Sequence, residues 1–261
     1  TGNAIETLLK EYLTPGKRFA GFVSSSGSGG TLGAGYYLKQ KFPRSKIVAA
    51  EALQCPTLLN NGFGAHRIEG IGDKHVPWVH NLKETDFVSA VDDEVPMRAL
   101  RLFNEPLGRQ ALVRSGVDKN LVEKLDLLGI SGIGNMVAAI KFAKYNELTQ
   151  DDYVVSIATD SMQLYGSRLG ELEQERGVYN ETNAQRDIEL ISQIGIDHTK
   201  ELTYYDKKAI HNLKYYTWIE QQGRDVEELN DQWYDHDNYW YSMFDQVDAI
   251  DELIIEFNGR I

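Results

Sequence analysis

A single cysteine, Cys55, is all the thiol chemistry this chain has, so no disulfide forms within it and a reducing cytoplasm is the simplest setting. No apolar run approaches the roughly 18 residues of a membrane span. The opening TGNAIETLLKEYL carries acids where a secretory leader carries bases. Basic clusters are missing too. With 27 Lys and Arg against 39 Asp and Glu, the net charge of -12 argues against nucleic acid or an anionic membrane as a partner. A small anion remains compatible, because backbone amides can hold one locally. None of the six histidines has a zinc spacing and there is no HExxH, so they read as satisfied surface or pocket residues rather than metal ligands. Of His66, His75 and His80, which flank Asp73, His75 is the one to examine for a pocket role. Internal repeats and low-complexity tracts are absent.

What is present is enough for one large domain or two small ones: 261 residues, 42% of them hydrophobic and 25% charged. Up to Asp160, short apolar runs alternate with helical text. RFAGFVS, KIVAAE, DFVSAVD and YVVSIATD read as strands of a parallel sheet, apolar throughout because helices cover both faces. The first helix places Ile5, Leu8, Leu9 and Tyr12 on one face, and NMVAAIKFAKY places Val137, Ile140, Phe142 and Ala143 in a broad stripe. An α/β domain follows. From about Arg168 the text turns acidic, aromatic and helical, with no strand signal, which divides the chain into an α/β domain at 1–169 and a helical C-terminal extension at 170–261. The Tyr and Trp clusters of that extension suit packing or a subunit interface better than a ligand cage.

In FVSSSGSGGTLGAGYYLKQKF, a strand runs into serines and glycines and then into a helix that begins near Thr31. Gly27, Gly29 and Gly30 can bring amides close to an anion, and the positive end of the helix points at the same place. It is not a Walker A loop, since Thr31 and Leu32 stand where Lys and Ser/Thr belong. A nucleophile elbow also fails, with Ser26 and Gly30 flanking Ser28. Three readings stay open. One is a nicotinamide loop, with Gly33 one position late for the strict pattern and Glu51 as the ribose acid; the others are a bare turn and a different phosphate ligand.

Four ordered segments narrow the choice: GSGGTLGAGYYLKQKFPRSKIVAAE, AHRIEGIGDKHVP, GISGIGNMVAAIKFA and VVSIATDSMQLYGSRL. Their order and spacing resemble the second half of the pyridoxal-phosphate enzymes of the cysteine synthase and cystathionine β-synthase family, over roughly residues 1 to 169. The resemblance implies the large-domain part of the tryptophan-synthase-β-like fold. It implies that Gly27, Ser28, Gly29, Gly30 and Thr31 cradle the cofactor phosphate, that Gly70, Ile71 and Gly72 line the pocket beside its ring, and that Ser161 faces the pyridine nitrogen from the end of a strand running from Tyr153 to Asp160. Asp160 points the other way. Ser28, Gly132, Ile133, Thr159 and Met162 depart from the family's pattern, and the third segment is its weakest match. A neutral hydroxyl at the ring nitrogen limits carbanion delocalisation and favours loss of a β-leaving group. Without the family, Ser161 reads equally as a helix N-cap.

The family binds its cofactor through a lysine in an N-terminal stretch resembling Ser-x-Lys-x-Arg, ahead of a loop that grips the substrate carboxylate. Neither is found here, and Lys10, Lys17 and Lys39 lack that context. The expectation is therefore a C-terminal portion of an enzyme performing β-elimination or β-replacement on an amino acid. A partner segment or subunit would carry the lysine, and the chain would form a homo-oligomer. Other readings are the pyridoxal-phosphate subunit of an amino-acid-degrading thiolase, a nicotinamide-dependent oxidoreductase and a non-catalytic phosphate-binding protein. VDDE, from Val91 to Glu94, reads as a strand passing into a helix with acids at its positive end, or as a cation site. Cys55 reads as a buried thiol or a redox one.

Overall fold

The structure, a computed structural model, describes residues 1–260. Helix α1 (Gly2–Tyr12) leads into β1 (Arg18–Ser25), α2 (Leu32–Lys41), β2 (Lys46–Ala52), the one-turn α3 (Thr57–Asn60) and β3 (Phe87–Val91). After β3 come α4 (Glu94–Asn104), α5 (Pro106–Arg114), the short α6 (Lys119–Val122), α7 (Ile130–Tyr145) and β4 (Asp152–Ser156). The remainder is α8 (Gly166–Arg176), α9 (Glu181–Ser192), β5 (Thr199–Glu201), α10 (Tyr204–Asn212), a π-helical stretch Tyr215–Gln221, α11 (Val226–Tyr234), α12 (His236–Asp245) and α13 (Val247–Asn258).

The sheet runs β4-β1-β2-β3-β5; its first four strands are parallel, with Phe22 opposite Ile47 and Val48 opposite Phe87. Buried side chains collect on both faces, as continuous apolar strands require. On one side Val23, Val48 and Phe87 pack with Leu100 of α4 and Val137 and Phe142 of α7. On the other, Phe22 packs with Ile5, Leu9 and Leu38, and Ile47 with Leu32 and Tyr36. Each such side chain contributes about 2–3 kcal/mol by leaving water. No helix among the described residues is long and apolar enough to cross a membrane.

Three expectations need correction. Strand β4 stops at Ser156, four residues short of Asp160. There Ser156 Oγ donates to Val23 O (2.7 Å), and α7 side chains hold the chain that follows: Asn135 Nδ2 donates to the backbone Ile157 O (3.1 Å) and Ser131 Oγ meets the Thr159 side-chain Oγ1 (3.1 Å). Leu8 and Tyr12 are exposed at 50% and 52%, because α1 buries only Gly2, Ile5 and Leu9. The C-terminal region also holds a strand, since Thr199–Glu201 pairs antiparallel with β3. Three residues of polar text carry no period that could announce it.

Candidate functional site

Parallel strands deliver their following loops to one edge of the sheet, where α/β proteins bind ligands. Here Gly27–Thr31 follows β1, Asp93 follows β3 and Ile157–Ser161 follows β4. The long connection from β2 to β3 joins them: Gly72 N donates to Ser26 O (2.9 Å), and a Cβ on Gly27 would lie 3.6 Å from Gly70 O. Seven of the eight expected positions, Gly27, Ser28, Gly29, Gly30, Thr31, Gly70 and Gly72, thus form one contiguous patch. Ser161 lies beyond the strand end. Its neighbour Thr159 lines a groove together with Ser28, Gly30 and Thr31.

The loop fits an anion. No backbone N–H from Gly27 to Thr31 donates a hydrogen bond within the described residues, whereas Ser26 N and Gly33 N on either side are satisfied. Such a run of free amides at the start of α2 is the donor set a phosphate uses. Gly29 holds φ at +88°, and a Cβ there would stand 3.3 Å from Pro77 Cβ and 3.4 Å from Val79 Cγ2. Gly70 and Gly72 are left-handed as well, at φ +78° and +83°. A Cβ on Gly72 would stand 2.6 Å from His66 Nε2, so that imidazole would have to move, and the φ of +83° itself favours glycine.

Ser161 stands at the N-cap position of the turn Met162–Leu164 but makes no side-chain capping bond. Asp160 is turned away: its Oδ2 accepts the Tyr165 hydroxyl, and its Oδ1 lies against Gly129, where a Cβ could not fit. That proximity, together with burial, pushes the Tyr165 phenol well above its usual range. The third segment opens α7, with Ser131, Gly132 and Ile133 buried in its first turn. Asn135, which sequence reading passed over, accepts Ser25 Oγ (2.6 Å) and so ties β1, α7 and the chain after β4 together. Its only signal is a lone amide in an apolar helix.

Other candidates fall elsewhere. Glu51 is buried, and its oxygens accept Leu58 N (2.9 Å) and Leu59 N (2.8 Å), so it caps α3 and is not free for a ribose. His75 pairs with Asp73 (3.3 Å) and packs edge-on against Trp218. His80 is neither surface nor pocket: it is fully buried, its Nε2 meets Thr85 Oγ1 (2.9 Å), and burial pulls it down to about 3. Asp93 at the start of α4 is taken by Arg67, which donates from Nη2 at 2.9 Å. Cys55 is buried and free. Lys10, Lys17 and Lys39 are paired with Glu6 (2.8 Å), Asp151 (2.7 Å) and Asp86 (2.8 Å).

The C-terminal helices reach this edge. Trp240, Tyr241 and Phe244 of α12 and Val247 of α13 wall a 680 Å³ groove whose other side includes Gly29, Gly30 and Gly33. Beneath it, Lys214 is fully buried and donates from Nζ to Trp78 O (2.8 Å), His80 O (2.7 Å) and Gln232 Oε1 (2.7 Å). Burial lowers its proton affinity. Three acceptors match the three protons of an ammonium, and they keep it charged.

A strand, a run of free amides and a helix, joined by a left-handed glycine segment at the edge of a parallel sheet, make an α/β protein whose loop has the geometry of an anion cradle. The comparisons then give the lineage. The chain is 30% identical over 145 residues to cysteine synthase B of Campylobacter jejuni, which spans 55% of this chain and 42% of that enzyme. It is 31% identical over 149 residues to the O-acetylserine-dependent cystathionine β-synthase of Bacillus subtilis, 56% of this chain and 42% of that one. A hydrogen-sulfide-producing enzyme of Fusobacterium nucleatum, solved with an α-aminoacrylate intermediate, superposes with a TM-score of 0.50 at 25% identity over 77% of this chain and 50% of that chain. No family model matches. The chain is similar to cysteine synthase and cystathionine β-synthase enzymes, which use pyridoxal phosphate, and it spans less than half the length of these curated relatives.

Proposed function

We propose that this chain supplies the phosphate cradle and ring contact of a pyridoxal-phosphate enzyme acting by β-elimination or β-replacement on an amino acid. The free amides of Gly27 to Thr31 carry this reading, supported by the kinship with cysteine synthases and cystathionine β-synthases. Bound pyridoxal phosphate supplies an electron sink for the carbanion next to the amino group. The chain's own residues do the holding. Amides of Gly27, Ser28, Gly29, Gly30 and Thr31 take the phosphate charge, and the dipole of α2 favours it there. Gly70 and Gly72 keep side chains out of the space beside the ring. Ser161, free of a capping duty, offers a hydroxyl to the ring nitrogen and leaves that nitrogen without a proton, which suits loss of a β-substituent.

In this reading residues 1–169 are the cofactor-binding domain and 170–261 an extension. The lysine that bonds to the cofactor belongs to another segment or subunit, and the assembly is a cytoplasmic homo-oligomer with an amino-acid substrate. An amine used for such a bond needs a desolvated position near the aldehyde. Lys10, Lys17 and Lys39 are instead held in ion pairs. The test is borohydride reduction with pyridoxal phosphate followed by peptide mapping. We expect no stoichiometric label on this chain alone, and visible absorbance with turnover of O-acetylserine or cysteine once the lysine-bearing segment is added. A stoichiometric label on one lysine of this chain, with activity, overturns the division of labour. A reconstituted protein that neither absorbs nor turns over overturns the function.

A further inference from the structure

Far along the chain from the glycine loop, α4, α8 and α9 enclose a 260 Å³ cavity lined by Arg98, Arg101, Arg176 and Arg186 together with Glu94 and Asp187, while Glu105 lies 3.6 Å from Arg101 and Glu175 3.5 Å from Arg176. Four guanidinium groups in one pocket are unexpected in a protein of net charge -12. Both lining carboxylates are already engaged. Asp187 accepts Arg98 Nε (2.5 Å) and the Tyr179 hydroxyl (2.8 Å), and Glu94 takes both arms of Arg176 (2.7 and 3.0 Å) as well as Arg67 (2.7 Å). Arg101 and Arg186 are left short of hydrogen-bond acceptors among the described residues. Arg101 is 3% exposed, stands over the Tyr179 ring with Cζ 4.9 Å from its centroid, and among the described residues donates only to Gly177 O (3.0 Å). Its Nε is buried with no partner, and Glu105 stands off at 3.6 Å. Arg186, on the exposed rim, makes no bond within the described residues.

A buried guanidinium short of acceptors is costly, and a bidentate oxyanion is the partner its fork fits. We propose that this cavity is a second anion site, separate from the glycine loop, that takes a small oxyanion: inorganic phosphate or the carboxylate of a small metabolite. The volume falls below the range of about 300–1,000 Å³ usual for drug-sized ligands, which excludes a nucleotide. The acceptor oxygens lie between Arg101 within and Arg98 and Arg186 at the mouth, while Arg176 stays with Glu94.

Inorganic phosphate is the first probe and acetate the second, each titrated by calorimetry in a buffer free of other oxyanions. The Gly29→Val protein removes the glycine loop from the measurement. We expect one saturable site to survive in it, to weaken about tenfold with Arg186→Gln, and to vanish with Arg101→Gln, since one charged hydrogen bond is a factor of ten or more. Acetate binding with the same sensitivity assigns the site to carboxylates and supports it equally. Arg186 is exposed and unbonded, so its replacement leaves folding intact even where Arg101→Gln does not. In the wild-type loop background, the Arg186→Gln substitution should weaken one of two phosphate sites and spare the other. Absence of saturable binding in Gly29→Val, or affinity indifferent to Arg186→Gln and Arg98→Gln alike, overturns the proposal.

Discussion

At single residues, two positions test whether the glycine loop is the proposed cradle or an ordinary turn. Gly29→Val asks a β-branched residue to adopt φ near +88° against Pro77 and Val79. A left-handed non-glycine residue costs about 1–2 kcal/mol before any clash, so pyridoxal-phosphate affinity in the reconstituted enzyme should fall tenfold or more when titrated by absorbance. Unchanged affinity would remove the loop from the site. Ser161→Ala should leave the urea midpoint of the chain almost unmoved, because the hydroxyl makes no capping bond. It should instead alter the cofactor spectrum, and Ser161→Asp should alter it further by favouring a protonated ring. A stability loss of about 1 kcal/mol with no spectral change would make Ser161 a cap after all. The glycines could be read ahead of the structure because their conformational demand is written in the residue type itself. The Arg101 cavity could not, since its parts lie on α4, α8 and α9 and only packing brings them together.

Elements show where that boundary falls. Strands β1 to β4 announce themselves by continuous β-branched and apolar text. Strand β5 is three residues pairing with β3 through Ser89 and Thr199, and no local pattern specifies it. The docking of the C-terminal helices was equally hidden, because it depends on one cation meeting three distant oxygens. Lys214→Ala strands Trp78 O, His80 O and Gln232 Oε1 without a donor, and breaking such a buried charged cluster costs about 3–5 kcal/mol. Hydrogen exchange should accelerate in residues 76–80 and in α11 and α12, while β1 and β2 keep their protection. Uniform exchange across sheet and helices would show that the clamp is not local. Nothing in the pattern of KAIHNLKYYTW sets Lys214 apart from the solvated lysines nearby, since burial is decided by what packs over it.

For the whole molecule, buried titratable groups set how stability responds to acid. His80 and His211 are each lowered from 6.5 to about 3, chiefly by burial. Between those limits the unfolded chain binds protons that the folded protein refuses, so stability is complete above pH 6.5 and drains as pH falls toward 3. Each proton is worth about 1.4 kcal/mol per pH unit. Glu51 acts in the opposite sense. Burial raises it from 4.5 to about 7, so protonation favours the folded state as pH falls through that window. Urea midpoints should therefore decline gently from pH 6.5 to 4.5 and steeply below, where Glu51 no longer offsets the histidines. Removing one proton-linked group, as in His80→Gln, should flatten the profile; a profile unaffected by that change would place the acid sensitivity elsewhere.

The segment from Val76 to His80 fills the space that a Cβ on Gly29 would enter and, on its other side, accepts Lys214 Nζ and Trp218 Nε1, the latter at 2.8 Å through Val76 O. It is a shared wall, and a shared wall makes two events one equilibrium. If an anion steadies the glycine loop, protection from hydrogen exchange should rise in residues 76–80 and at the seat of the C-terminal helices as well, and by reciprocity weakening that seat should weaken the anion's binding. A ligand at a hundred times its dissociation constant stabilises the folded protein as a whole by about 2.7 kcal/mol. Helices remote in sequence from the glycine loop are thus built onto the same wall as that loop.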